Sequence, residues 1–172
     1  WPDSRWGSVS YLEPGTKTGF TFETEGRVDV TARANMFYLA CAPPKKLGAA
    51  SFYLAATTDA AQKPLDGGAS YRLRVPANVP AKQFWAVTVY DLETAGFIRG
   101  SPRVELNSYQ NPETNSDGSV DVYFGATAPA GKEANWVHTA PGKTWFAFFR
   151  FYGPDPPLFD KTWVLPNIEV AT

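Results

Sequence analysis

The chain has 172 residues, of which 44% are hydrophobic and 19% charged, and its net charge is -1. That is the length of one ordinary domain, or of two very small ones, with enough apolar content for a core. A near-neutral chain without a Lys/Arg block lacks the footprint of a nucleic-acid binder, no stretch is apolar for long enough to span a bilayer, and the single cysteine, Cys41, excludes an internal disulfide.

The high Pro and Gly content predicts many short strands and punctuated turns. The first residue is Trp1 rather than Met, so the N terminus reads as cleaved or truncated. Residues 1–19 hold two Trp, two Pro and three Gly, and read as an extended arm. Residues 20–30 suit a short strand or turn. A helix is expected within residues 27–42, because Val30, Ala34, Phe37 and Cys41 recur at helical spacing; Pro43 and Pro44 stop it.

After Ser51 the pattern has period two. Phe52 and Leu54 share a face in "ASFYLAAT". A Gly-Gly turn precedes "YRLRV", in which Tyr71, Leu73 and Val75 alternate with Arg72 and Arg74. Trp85, Val87 and Val89 share one face of the next strand; Phe84, Ala86, Thr88 and Tyr90 share the other. Asp117-Gly118 feeds a strand with Val120, Val122 and Phe124 on one side. In "WFAFFRFYGP" (145–154), Trp145, Ala147, Phe149 and Phe151 form an apolar face. Phe146, Phe148, Arg150 and Tyr152 form a mixed one. Two Phe argue against full exposure there and an arginine against a dry interior, so this face should be covered by something with a polar component. Pro156-Pro157 then predicts an extended or turning connection, and Pro166 an edge position for the last strand.

Chemistry-bearing motifs are sparse. His138 is the sole histidine and lies in an expected loop, so a His-based triad could use no other residue. "ETNSDGSVDVYF" imitates a calcium loop, but Phe124 falls where a bidentate carboxylate is required, and a β-turn is the better reading. "GGAS" lacks the lysine of a phosphate loop. No metal and no cofactor is expected. Arg150, Tyr152, Lys161 and Trp163 could meet in an aromatic, cationic pocket for a small polar or anionic ligand. The structural alternative is an Arg150 ion pair with Asp91 or Asp160.

Several segments, "YDLETAG" (90–96), "DGSVDVYFG" (117–125), "PAGKEANWV" (129–137), "PGKTWFAFFRFYGP" and "FDKTWVLPNIE", resemble the bacterial domain-of-unknown-function family 1214, from about Gly26 to the C terminus. The resemblance implies a mainly β, antiparallel, jelly-roll-like β-sandwich with one N-terminal helix. Residues 20–172 would form that domain, and residues 1–19 would be an arm or linker left from an upstream region. It also implies an upstream family-1254 domain and export from the cell. It supplies no established reaction. Family positions match Tyr90, Asp91, Asn135, Trp136, Arg150, Tyr152 and Trp163, which with Lys161 are the ligand-site candidates. Two functions follow as expectations. One is a non-catalytic binding or assembly module partnered by the upstream domain, a second copy or a small ligand. The other is a hydrolase-like enzyme using Asp91, Arg150, Tyr152 and His138.

Overall fold

The period-two segments become strands, and their apolar faces meet. The computed structural model describes residues 1–8, 23–24, 27–28 and 51–171. The larger sheet has five antiparallel strands in the order β1 (Gly7–Ser8), β4 (Ser51–Ala56), β10 (Trp145–Pro154), β6 (Ala81–Asp91) and β7 (Glu105–Asn107). The smaller has four, in the order β11 (Glu169–Val170), β5 (Tyr71–Val75), β8 (Val120–Gly125) and β9 (Trp136–His138). Its β8–β9 pair is parallel, so the sheets are antiparallel with one exception. A separate two-residue ladder joins β2 (Glu23–Thr24) to β3 (Arg27–Val28). β3 occupies the start of the expected helix; the rest of that stretch, from residue 29 to residue 42, lies outside the described residues.

The core is the space between the two sheets. Trp85, Val87, Val89, Val120, Val122, Phe124, Phe149 and Phe151 are all buried, at 0–7% exposure. Trp145, from the larger sheet, meets Phe124 and Tyr71 of the smaller at ring separations of 5.0 and 5.7 Å. Burying side chains of this size, at roughly 1.5–3 kcal/mol each, is what holds the sheets together. Of the stretch 1–19, Trp1–Ser8 are described: β1 pairs with β4, Trp6 is buried, and its indole donates to the Pro166 carbonyl at 2.7 Å.

Two glycines are required by geometry. A Cβ on Gly67 would lie 2.1 Å from the Ala140 carbonyl oxygen, so only glycine lets these backbones approach. Gly153 has φ +63° and sits where the β10–β6 register shifts between Tyr152 and Pro154. That bulge ends the aromatic strand. The Pro156-Pro157 connection, expected to be extended or turning, turns: it is a short helix, α1 (Pro156–Phe159). Proline is well suited to a first helical turn, because the N–H it lacks would have no partner there. Asp155 before it keeps an extended backbone, as the residue preceding a proline prefers.

Candidate functional site

The outer face of the larger sheet carries Arg150. Strand register sets its surroundings: Arg150 pairs with Tyr53 on β4 and Ala86 on β6, and Phe148 with Ala55 and Thr88. Thr88 in turn pairs with Glu105 on β7. The guanidinium therefore lies between β4 and β6 with Glu105 one strand further out. Arg150 donates to the Tyr90 hydroxyl, sits 3.9 Å from a Glu105 carboxylate oxygen, and approaches the Tyr53 and Tyr90 rings at 5.6 and 5.7 Å. Its side chain is 22% exposed. The partners expected from sequence, Asp91 and Asp160, are not the ones found. Asp91 leaves the opposite face of β6, cross-strand from Trp145, and Asp160 is exposed beyond α1.

Glu105 is itself held. Its carboxylate accepts from the Thr88 hydroxyl at 2.7 Å and the Asn107 amide at 3.0 Å. With a carboxylate beside it, Arg150 does not offer an uncompensated positive charge. Beyond it on the same face, Tyr152 stacks on Phe84 at 4.0 Å, and Phe84 meets Tyr109 at 4.9 Å. At the other end Tyr90 lies between Phe146 and Phe97, each 5.2 Å away. Tyr90, Phe146 and Phe148 are buried, whereas Phe97 and Tyr109 are 59% and 67% exposed.

The remaining candidates are dispersed. Asp91 accepts from the Glu93 and Thr94 backbone N–H groups at 2.9 and 3.2 Å and pairs with Lys143 at 3.3 Å. Burial alone would raise its pKa, but these donors together outweigh burial and hold the carboxyl below its ordinary range. Asn135 is a bracket: its amide oxygen accepts from the Glu113 N–H at 2.8 Å, and its NH2 donates to the Glu113 and Asp121 carbonyls. Trp136 donates to the Gly125 carbonyl at 2.9 Å and meets His138 edge-on. His138 stands on β9 of the smaller sheet, its pKa lowered by burial and its Nδ1 buried without a hydrogen-bond partner among the described residues. Trp163 packs against Phe149 and Phe151, on the core side of β10, while Lys161 is exposed with φ +60°. Arg150 and Tyr152 are thus neighbours, but Trp163 lies across the sheet from them. The hydrolase set of Asp91, Arg150, Tyr152 and His138 is likewise split between faces and sheets. Asp117 binds the Ser119 hydroxyl and N–H and Arg74, which hold its carboxyl well below the usual range.

A cleft opens at one end of the space between the sheets, with a volume of about 410 Å³. Trp85, Val75, Val79 and Val120 supply apolar walls; Asn78, Ser108, Asn111 and Thr114 supply polar ones. Among the described residues, no charged side chain lines it. Sequence reasoning missed this cleft, because its walls come from a β5–β6 loop, a 3-10 turn and the turn before β8, which no local motif connects. Glu105 was missed too, because its place opposite Thr88 is set by the β6–β7 register, which no local pattern carries.

Two packed sheets with a cleft at their mouth define a mainly β domain of sandwich-like type. The profile of a family described as "Protein of unknown function (DUF1214)" matches residues 50–156, and the chain belongs to that family. The crystal structure of the VPA0106 protein from Vibrio parahaemolyticus is similar, with 22% identity and a TM-score of 0.67 over 96% of this chain and 39% of that one. At that identity the likeness concerns fold. An uncharacterized protein from Burkholderia cenocepacia is more distant, at 21% identity and a TM-score of 0.44 over 70% of this chain and 29% of that one. The chain therefore spans about two fifths of the Vibrio protein's length. No curated protein matches it.

Proposed function

We propose that the chain is a binding module without a reaction of its own, and that it receives a small molecule in the cleft between its sheets. The observation that carries this is the cleft itself: about 410 Å³, apolar at Trp85, Val75, Val79 and Val120, with hydrogen-bonding side chains at Asn78, Ser108, Asn111 and Thr114. That size and mixture are typical of small-molecule sites. The Arg150 face is a weaker candidate, since Glu105 compensates its charge and Phe146 and Phe148 are already buried. Dispersal of Asp91, Arg150, Tyr152 and His138 favours binding over hydrolysis.

The module is read as one part of a longer, exported protein, following an upstream domain of the family-1254 kind. Its share of the Vibrio protein supports this, as do the exposed rings of Phe97 and Tyr109, which suit a contact with that domain or a second copy. Its two-sheet architecture is read as a jelly roll, and residues 1–19 as the connection to the upstream region, although Trp1–Ser8 pack into the domain itself through β1 and Trp6. A panel of small charged and uncharged compounds, followed by NMR of the valine methyls and Trp85 indole, tests the binding reading. Shifts should centre on Val75, Val79, Val120 and Trp85, with the compound recovered unchanged. If no compound gives a cleft-centred pattern at millimolar concentration, the reading is wrong.

A further inference from the structure

We infer that His138 is an acid-operated latch: when its ring becomes an imidazolium, the seam that joins the two sheets at β9 opens. The inference is independent of the ligand reading above, since it concerns no bound molecule. β7 ends the larger sheet and β9 ends the smaller, and the two pack together at one side of the sandwich. The His138 N–H closes this seam by donating to the Arg103 carbonyl at 2.9 Å, just before β7 begins. Arg103 is fixed in place. Its guanidinium donates to the Glu105 carbonyl at 3.3 Å, the Glu133 carbonyl at 3.0 Å and the Gln110 side chain at 3.2 Å. The grip of β9 is slighter. That strand has three residues, pairs with β8 alone, and pairs in parallel, the weaker kind of ladder. Val137 is buried between the sheets, so alternation sends the Trp136 and His138 side chains to the outer side.

Nδ1 of His138 is buried there without a hydrogen-bond partner among the described residues. A neutral imidazole tolerates this, because one of its nitrogens carries no proton; the imidazolium carries protons on both. Charging the ring therefore places a cation and an unmet N–H in a spot that satisfies neither. The carboxylates of the neighbouring elements are engaged elsewhere. On β8, Asp121 accepts from the Asn115 amide and lies four residues from Gly125, which stands opposite His138; Tyr123 pairs with Trp136. Glu105 on β7 accepts from Thr88 and Asn107, Asp91 on β6 pairs with Lys143, and Glu133 before β9 accepts from the Gly131 N–H. The charged residue that His138 does meet through the backbone is Arg103, itself a cation. Burial holds the ring below its ordinary pKa of 6.5. Released from the seam, the ring regains water and takes up a proton more readily. The advantage of the closed form is thus complete above pH 6.5, shrinks as pH falls through that value, and stops shrinking below the folded pKa.

His138 is the sole histidine, so its ring gives a single NMR signal to follow in the full chain. That signal should titrate below 6.5. Amide exchange, taken relative to unstructured rates at each pH, should show the opening directly. Protection at the His138 and Thr139 N–H groups should fall at least about threefold between about pH 7.5 and about pH 5, while Ala147 and Phe149 in the centre of the larger sheet keep theirs. In His138→Gln, which cannot become charged, protection at Thr139 should be the same at both pH values. A ring pKa at or above 6.5 would overturn the latch. So would seam protection unmoved by acid, a loss shared equally by Ala147 and Phe149, or a loss that persists in His138→Gln. Should His138→Gln fail to fold, His138→Phe takes its place, and the two measurements on the parent chain still decide.

Discussion

The two faces of β10 solve different problems with the same ten residues. Trp145, Ala147, Phe149 and Phe151 are fully buried between the sheets. They need only shape and area. Phe146 and Phe148 are nearly as buried on the other face, but Arg150 shares it at 22% side-chain exposure. An arginine cannot shed its charge, so that face must supply partners: the Tyr90 hydroxyl, the Glu105 carboxylate and two tyrosine rings. The comparison teaches that burial alone does not make a surface core. What separates the faces is whether polar groups must be satisfied, and the satisfied face costs more residues to build.

Substitution should break the inner face hardest. Phe149→Ala should cost about 3–5 kcal/mol, the usual penalty for a large cavity in a packed core. Urea unfolding within about 1 kcal/mol of the parent would contradict the packing described here. Next comes a buried polar bracket. Asn135→Ala strands the Glu113 N–H and two carbonyls, and should cost about 2–3 kcal/mol. The loss should be accompanied by faster amide exchange at Glu113. Arg150→Met should cost less, about 1–2 kcal/mol, because Glu105 keeps its bonds from Thr88 and Asn107. A double-mutant cycle with Glu105→Gln sharpens this: at 3.9 Å and partial exposure, the coupling should stay below about 1 kcal/mol. A larger coupling would make the outer face an electrostatic structure and not a packed one.

The smallest effect is on pH. Asp91 titrates below its ordinary value of 3.8 in the folded chain, since the Thr94 and Glu93 N–H groups and Lys143 outweigh burial. A depressed folded pKa contributes stability that is complete above the unfolded value and disappears as pH falls through the folded one. Urea midpoints should therefore decline on acidification below about pH 4, and Asp91→Asn should flatten that decline. An unchanged slope in the variant would assign the acid sensitivity to other carboxylates, Asp117 first among them.

Much of the strand architecture was legible because side chains alternate along a strand whatever its neighbours do. Eight core residues follow from period-two reading alone, as does the burial of Phe146 and Phe148 beside a partly covered Arg150. The proline pair left two outcomes open, because Pro156 fits the first turn of α1 as well as it fits an extended segment. The candidate pocket of Arg150, Tyr152, Lys161 and Trp163 misled for a different reason. Nearness in sequence said nothing about which side of β10 the chain returns on, and Trp163 returns on the core side.

The sequence by itself determined which face of each strand is apolar, where the turns fall and that Arg150 requires company. Those are local properties, carried by periodicity and by the cost of burying a charge. Only the tertiary structure decided that the company is Glu105 and Tyr90 instead of Asp91 or Asp160, because strand order and register across β10, β6 and β7 set which side chains meet. It also decided that residues 75–79, 108–114 and 118–120 enclose one cleft. Contacts between segments this far apart depend on the closing of whole sheets, and no window of sequence contains them.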